Sequence, residues 1–205
     1  MVIIVDYGVG NLASIKNMLK KIGADAKISA DKDDILEAEK LILPGVGAFD
    51  SCMEKLHGSG LLHILNEKVL LNKTPVLGVC VGMQMLTQRS EEGILPGLGW
   101  IKGSIVKFKN EMLPAGYKIP HMGWTDVQLN KPSRLFENMY EEPRFYFVHS
   151  YHAQVSNRND VVLTANYGYD FTAGIELDNI LGVQFHPEKS HKFGMRLLDN
   201  FIKNY

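Results

Sequence analysis

A cysteine stands between two glycines in Gly78-Val79-Cys80-Val81-Gly82, directly after the apolar run Pro75-Val76-Leu77. The pattern reads as a buried strand that turns sharply into a helix with Cys80 at the apex. Small residues two positions to either side let the backbone take the strained corner of a nucleophile elbow. The start of a helix also favours a thiolate. Alone, the segment fits a buried structural cysteine between two turn glycines equally well. A second group tips the balance toward chemistry. In Gly182-Val183-Gln184-Phe185-His186-Pro187-Glu188, His186 and Glu188 are two residues apart, so in an extended chain both side chains project to one side. The His186 imidazole can take a thiol proton while the Glu188 carboxylate fixes its tautomer and stabilises the imidazolium. That is a nucleophile, base and orienter in the order Cys80, His186, Glu188.

Acyl transfer through a thioester passes a tetrahedral oxyanion, which needs backbone donors. The N–H of Val81, just after the nucleophile, is supplied by the elbow itself. Pro44-Gly45-Val46-Gly47 suits the second donor because its glycines permit unusual torsions; without Cys80 it would read as a tight turn after a strand. His149, Ser150, Tyr151 and His152 invite a metal reading, yet no Cys or carboxylate at ligand spacing accompanies them, so no metal site is expected.

The elements that must position these groups alternate in the first half of the chain. Val2 to Val5 reads as a strand, and Leu12, Ile15, Leu19 and Ile22 recur on one helical face that Gly23 closes. A strand over Ala24 to Ile28, a short acidic helix over Asp31 to Ala38, and a strand at Leu41 to Leu43 follow. Helix is expected again through Met53 and Leu56 and from Leu61 to Leu70, ahead of the elbow strand. Such alternation predicts a parallel sheet with helices on both faces and a ligand site at the carboxyl ends of its strands. From about Leu98 the runs are short and β-rich, from Gly99 to Phe108 through Ile180 to Phe185. A last amphipathic helix near His191 to Ile202 turns Phe193, Leu197, Leu198 and Phe201 inward. The expectation is one mixed α/β domain over residues 1–205, its central sheet mostly parallel and its second half β-rich.

The chain's size and apolar content, 205 residues and 45% hydrophobic, suffice for one full core. Twenty-two Lys and Arg balance 23 Asp and Glu without a basic cluster, which argues against a nucleic-acid partner. Two cysteines, Cys52 and Cys80, make no disulfide framework, and an activated thiol needs a reducing compartment, so the cytosol is expected. The apolar opening run lacks a basic flank and is too short for a signal or membrane segment.

These residues coincide with a known family: the chain resembles the class I (triad-type) glutamine amidotransferases, and within them the glutaminase branch that serves histidine biosynthesis. The likeness runs close to full length. It takes in Asp6-Tyr7-Gly8-Val9-Gly10-Asn11-Leu12, Pro44-Gly45-Val46-Gly47-Ala48-Phe49, Gly78 to Gln84, Ser90-Glu91-Glu92-Gly93, Pro120-His121-Met122-Gly123-Trp124, Tyr146 to Tyr151 and Gln184 to Ser190. The resemblance implies that Cys80 attacks the side-chain amide of glutamine, His186 protonates the departing ammonia, and water hydrolyses the glutamyl thioester. It also implies that Gln84 and Glu92 hold the amino-acid head group, that Gly47 and His149-Ser150-Tyr151 line the pocket, and that Val46 supplies an oxyanion N–H. Read alone, Glu92 is a surface carboxylate in the Glu91-Glu92 pair. No cofactor is implied.

Ammonia is lost in bulk water, and the family delivers it through a (β/α)8-barrel cyclase subunit in a heterodimer, which the positions of Asn11, Trp124, Tyr146 and Lys189 face. A Trp at position 124 suits an interface anchor, although a buried core Trp would serve as well. The chain departs from the common pattern at Val81, Trp100, Thr125 and His152. A related subunit that supplies ammonia to amidinate a sugar for surface polysaccharide is therefore the alternative within the fold. A stand-alone cysteine hydrolase or peptidase of the same α/β architecture and a binding subunit with a vestigial triad are the alternatives from other functional classes.

Overall fold

The computed structural model describes all residues, Met1–Tyr205. The first half runs β1 (Val2–Val5), α1 (Leu12–Lys21), β2 (Ala26–Ser29), α2 (Lys32–Glu37), β3 (Lys40–Gly45), α3 (Phe49–Gly58), α4 (Leu62–Asn66), β4 (Val76–Cys80) and α5 (Val81–Met85). Short β5 (Arg89–Ser90) leads to β6 (Gly103–Lys107), β7 (His121–Leu129), β8 (Arg144–His149), β9 (Tyr151–Val155), β10 (Val161–Tyr167), β11 (Tyr169–Leu177), β12 (Ile180–Val183) and α6 (His191–Asn204). The α/β architecture, with a mostly parallel sheet and a β-rich second half, is the one the alternation predicts.

The sheet runs in the order β2-β1-β3-β4-β12-β11-β10-β7-β8. Its first five strands are parallel, and every pair from β12 outward is antiparallel. β12 is the last strand in sequence, yet it returns to lie beside β4, with Val183 opposite Val79, while Gly45 of β3 lies opposite Cys80. Three adjacent parallel strands therefore deliver the Val46 loop, Cys80 and the His186 segment to one end of the sheet. Loops at the carboxyl ends of parallel strands are where such folds bind ligands.

All five residues of β4 and all four of β1 are buried, as befits strands covered on both faces. One apolar cluster of 52 buried residues extends from Val2 to Phe201 and takes in both halves, so the antiparallel strands share the core of the parallel ones. In α6, Phe193, Leu197, Leu198 and Phe201 are buried, the inward face the pattern marks. Asp31 caps α2 by accepting from the N–H groups of Asp33 and Asp34.

Three local expectations differ. The helix expected over Leu61 to Leu70 is α-helical over Leu62–Asn66 and continues as a π-helical turn at Glu67–Leu71, where Lys68 is drawn inward to donate to the Leu36 carbonyl at 2.8 Å. The last strand stops at Val183, and Pro187–Lys189 form a 3-10 turn instead of continuing extended. The glycines of the elbow are there for close approach. Cys80 itself carries the strained torsion, at φ 56° and ψ −114°, while Gly78 and Gly82 have no positive φ. A Cβ on Gly82 would come within 1.9 Å of the Leu43 carbonyl oxygen, and one on Gly45 within 2.5 Å of the Gly82 nitrogen. The first turn of α5 is thus packed onto the β3 backbone, which cannot yield as a side chain would. Gly82→Ala is expected to destabilise the chain by about 3 kcal/mol or more, measurable as a lowered midpoint in urea; an unchanged midpoint would exclude this packing.

Candidate active site

A cleft of about 400 Å³ opens at the carboxyl ends of β3 and β4. Cys80, at its base, is only 4% exposed. His186 Nδ1 lies 2.9 Å from Glu188 Oε1, so that nitrogen donates to the carboxylate. Its other nitrogen is left for the Cys80 sulfur, which interacts with the ring. The 3-10 turn carries Glu188 beneath the ring, a geometry the extended reading did not foresee. Burial opposes charge on His186, but its bonds and charge interactions with Cys80 and Glu188 outweigh it and raise its pKa to about 10. α5 is five residues long, so the helix terminus adds little field; the imidazolium and Glu188 supply the local electrostatics.

Val46, Gly47, Val81, Gln84, Glu92, His149, Ser150 and Tyr151 also line the cleft with Cys80 and His186. Glu188 stands behind His186 and does not. The Val46 loop is tethered from below. Tyr7 Oη donates to the Pro44 carbonyl at 2.5 Å and the Cys52 thiol to the Val46 carbonyl at 3.4 Å. Burial pushes the Tyr7 and Cys52 pKa values up, keeping both as donors. Across the cleft, Glu92 accepts from the Phe49 N–H at 2.9 Å, at the start of α3, while Asp50 of that helix accepts from the N–H groups of Ile94 and Leu95. The two carboxylates brace the loop against the helix. Asp50 carries no sequence signal for this role, because its partners are backbone groups 44 and 45 residues away.

Gln84 donates to the Tyr151 carbonyl at 3.2 Å and to Gln184 Oε1 at 3.1 Å. His149 Nδ1 meets the same carbonyl at 2.8 Å, and its Nε2 meets His121 Nδ1 at 3.0 Å. These histidines are packed among Phe108, Phe147 and Phe171. Burial there lowers the pKa of His121 to about 4 and that of His149 well below its ordinary value. Both are neutral in the fold but gain protons near pH 6.5 when unfolded. Stability from them is present above about pH 6.5 and lost as pH falls through 4. His186, with a raised pKa, has the opposite sign and keeps its contribution at low pH. Phe in place of His121 is therefore expected to flatten the loss of stability between pH 6.5 and 4; an unchanged slope in acid melts would count against the assignment.

Lys189 also lines the cleft, and Trp124 and Tyr146 lie beside it outside the lining. Trp124 and Tyr146 face each other across β7 and β8 with ring centroids 6.3 Å apart. Lys189 Nζ is 5.6 Å from the Tyr146 ring, and Trp124 stacks on His191. Trp124 is 43% exposed, beside exposed Met122 on the same strand. Asn11 stands exposed at the start of α1. The unusual residues have local partners: Trp100 Nε1 donates to Asn66 at 2.7 Å, Thr125 Oγ1 meets His121 Nε2 at 2.8 Å, and His152 Nε2 meets the Tyr169 hydroxyl at 3.3 Å. No group of three or more His, Cys, Asp or Glu converges in a metal-binding array. No helix is long and apolar enough to cross a membrane.

Residues 3–205 match the family profile described as glutamine amidotransferase class-I. The chain belongs to that family and is an enzyme of its class. It is 54% identical over 203 residues, 99% of each chain, to a Methanococcus maripaludis protein named imidazole glycerol phosphate synthase subunit HisH 2. It is 52% identical, over the same share of each chain, to the Pseudomonas aeruginosa protein of that name. The structure of PurLQS from Thermotoga maritima superposes with a TM-score of 0.71 at 18% identity, covering 98% of this chain and 96% of the other, a likeness of fold.

Proposed function

We propose that the chain is a single glutaminase domain over residues 1–205, working in the cytoplasm as one half of a heterodimer. It releases ammonia from glutamine for a (β/α)8-barrel cyclase subunit that forms imidazole glycerol phosphate and AICAR in histidine biosynthesis. The observation that carries this is the meeting of Cys80 and His186 in one cleft, with Glu188 bonded to His186 from behind, in a chain about half identical to the two HisH proteins. The Cys80 sulfur attacks the glutamine side-chain carbonyl while the N–H groups of Val46 and Val81 receive the oxyanion. The His186 imidazolium, steadied by Glu188, gives its proton to the departing ammonia. Water, deprotonated by His186, then cleaves the thioester, so that glutamine and water become glutamate and ammonia.

Glu92 takes the substrate ammonium and Gln84 helps fix the head group, with Gly47, His149, Ser150 and Tyr151 forming the walls. Asn11, Trp124, Tyr146 and Lys189 meet the barrel. Glu92→Ala is expected to raise KM for glutamine at least tenfold with little loss of kcat, because head-group binding is shared by ground and transition states. An unchanged KM would return Glu92 to a purely bracing role. The acceptor is tested by introducing the gene into a histidine auxotroph that lacks its own glutaminase subunit. Growth without histidine is the expected result. Retained glutaminase activity without growth would instead support the sugar-amidinating alternative.

A further inference from the structure

A continuous line of buried hydrogen bonds leaves the cleft and surfaces on β7. Its direction can be worked out from one fixed end. The Tyr151 carbonyl can only accept, so His149 Nδ1 carries a hydrogen and donates to it. A neutral His149 must then accept at Nε2, which makes His121 Nδ1 the donor across the 3.0 Å contact. A neutral His121 must in turn accept at Nε2, and the only hydrogen available there is that of the Thr125 hydroxyl, 2.8 Å away. From the other side, Gln84 donates to the same Tyr151 carbonyl and to Gln184 Oε1. This fixes the Gln184 amide so that its NH2 group faces Cys80 Sγ at 3.9 Å. Gln184 is fully buried, and its side chain bonds only to Gln84 and the Cys80 sulfur.

We propose that Thr125, His121 and Gln184 are positioning residues for glutamine hydrolysis, joined through His149, the Tyr151 carbonyl and Gln84 in one line of hydrogen bonds whose two donor arms meet at that carbonyl. The chain begins beside Trp124 on β7 and ends on the nucleophilic sulfur. It sets the Tyr151 carbonyl and the Gln84 amide, and so the shape of the head-group site, while Gln184 presents a donor to the sulfur. Both histidines must be neutral to carry it, a condition the surrounding phenylalanine rings enforce by excluding water. The proposal rests on Cys80 being the glutamine nucleophile, as argued above.

The test is the rate at which 6-diazo-5-oxo-L-norleucine, a glutamine analogue that alkylates thiols, labels Cys80 of the full chain, followed by mass spectrometry across reagent concentrations. Iodoacetamide, which has no amino-acid head group, is the parallel probe. Thr125→Val keeps the shape and removes the donor; it is expected to raise the analogue's half-saturation concentration about fivefold, the effect of one net hydrogen bond. Its maximal labelling rate and its iodoacetamide rate should stay unchanged, which a general loosening of the fold would not allow. Thr125→Ser should restore wild-type behaviour. His121→Phe should match Thr125→Val, and the double variant should add nothing, because both break the same chain. Gln184→Glu puts a carboxylate beside the sulfur and should slow iodoacetamide about tenfold at neutral pH by raising the thiol pKa. Wild-type half-saturation in both Thr125→Val and His121→Phe would overturn the chain. Failure of the analogue to label Cys80 in the unaltered protein would overturn the nucleophile assignment itself, and the chain's role with it.

Discussion

Cys80→Ala is expected to lower glutamine hydrolysis by about 10⁴–10⁶-fold, the scale on which a lost nucleophile acts within a cooperating triad. The fold should survive. The substitution removes one sulfur atom at the base of an open cleft, and alanine inherits the same positive φ that cysteine tolerates there. Thermal melts within a few degrees of wild type, alongside lost turnover, are the expected pair of results. His186→Ala should be nearly as severe. Glu188→Gln should cost less. Glu188 Oε1 is bonded to His186 while its Oε2 is buried with no partner, so a carboxamide can keep its oxygen on Nδ1 and place its NH2 where nothing is displaced. Only the charge that stabilises the imidazolium is lost. Glutamate release by Cys80→Ala at the wild-type rate, with contaminating enzyme excluded by active-site titration, would sink the triad.

How much of this was legible in the sequence depends on the range of the interactions. The alternation of strands and helices was legible because burial on one or both faces writes a period into the chain. The Cys80 elbow was legible for a related reason, since an apolar strand and two flanking glycines mark it locally. The reason for those glycines was not. Gly82 answers to a carbonyl on β3, 39 residues earlier, and no local pattern carries that clash. The turn at Pro187–Lys189 escaped the extended reading because the bond from Glu188 to His186, two residues back, is satisfied by a curled backbone as readily as by a straight one. Buried polar groups were the least visible. Gln184 follows an apolar strand and His121 opens a mixed one, and each is held by partners 28 to 104 residues distant. The π-helical turn at Glu67–Leu71 falls in the same category, since a periodic run of apolar residues cannot report one extra residue per turn.

The isolated chain is expected to be a poor glutaminase, rising by about 10²–10³-fold when it docks on the proposed barrel partner with acceptor bound, the amount one oxyanion donor is worth. The motive is the construction of the Val46 loop. The Pro44 and Val46 carbonyls are held by Tyr7 and Cys52, whereas the peptide between them, which carries the Val46 N–H, lies just past the end of β3. Val46 is 41% exposed and Gly47 adopts φ +94°, so rotation of that single peptide need not disturb the strand. A partner can then select the orientation that points the N–H at the oxyanion, provided it binds that orientation more tightly. Trp124, exposed and stacked on His191 beside Lys189 and Tyr146, should carry part of the docking energy. Trp124→Ala ought therefore to weaken activation while leaving Cys80 labelling in the free chain unchanged. Glutamate release is measured with and without the barrel and its ligand. Activity in the free chain equal to that of the complex would remove the channelled-ammonia mechanism and favour a stand-alone cysteine hydrolase.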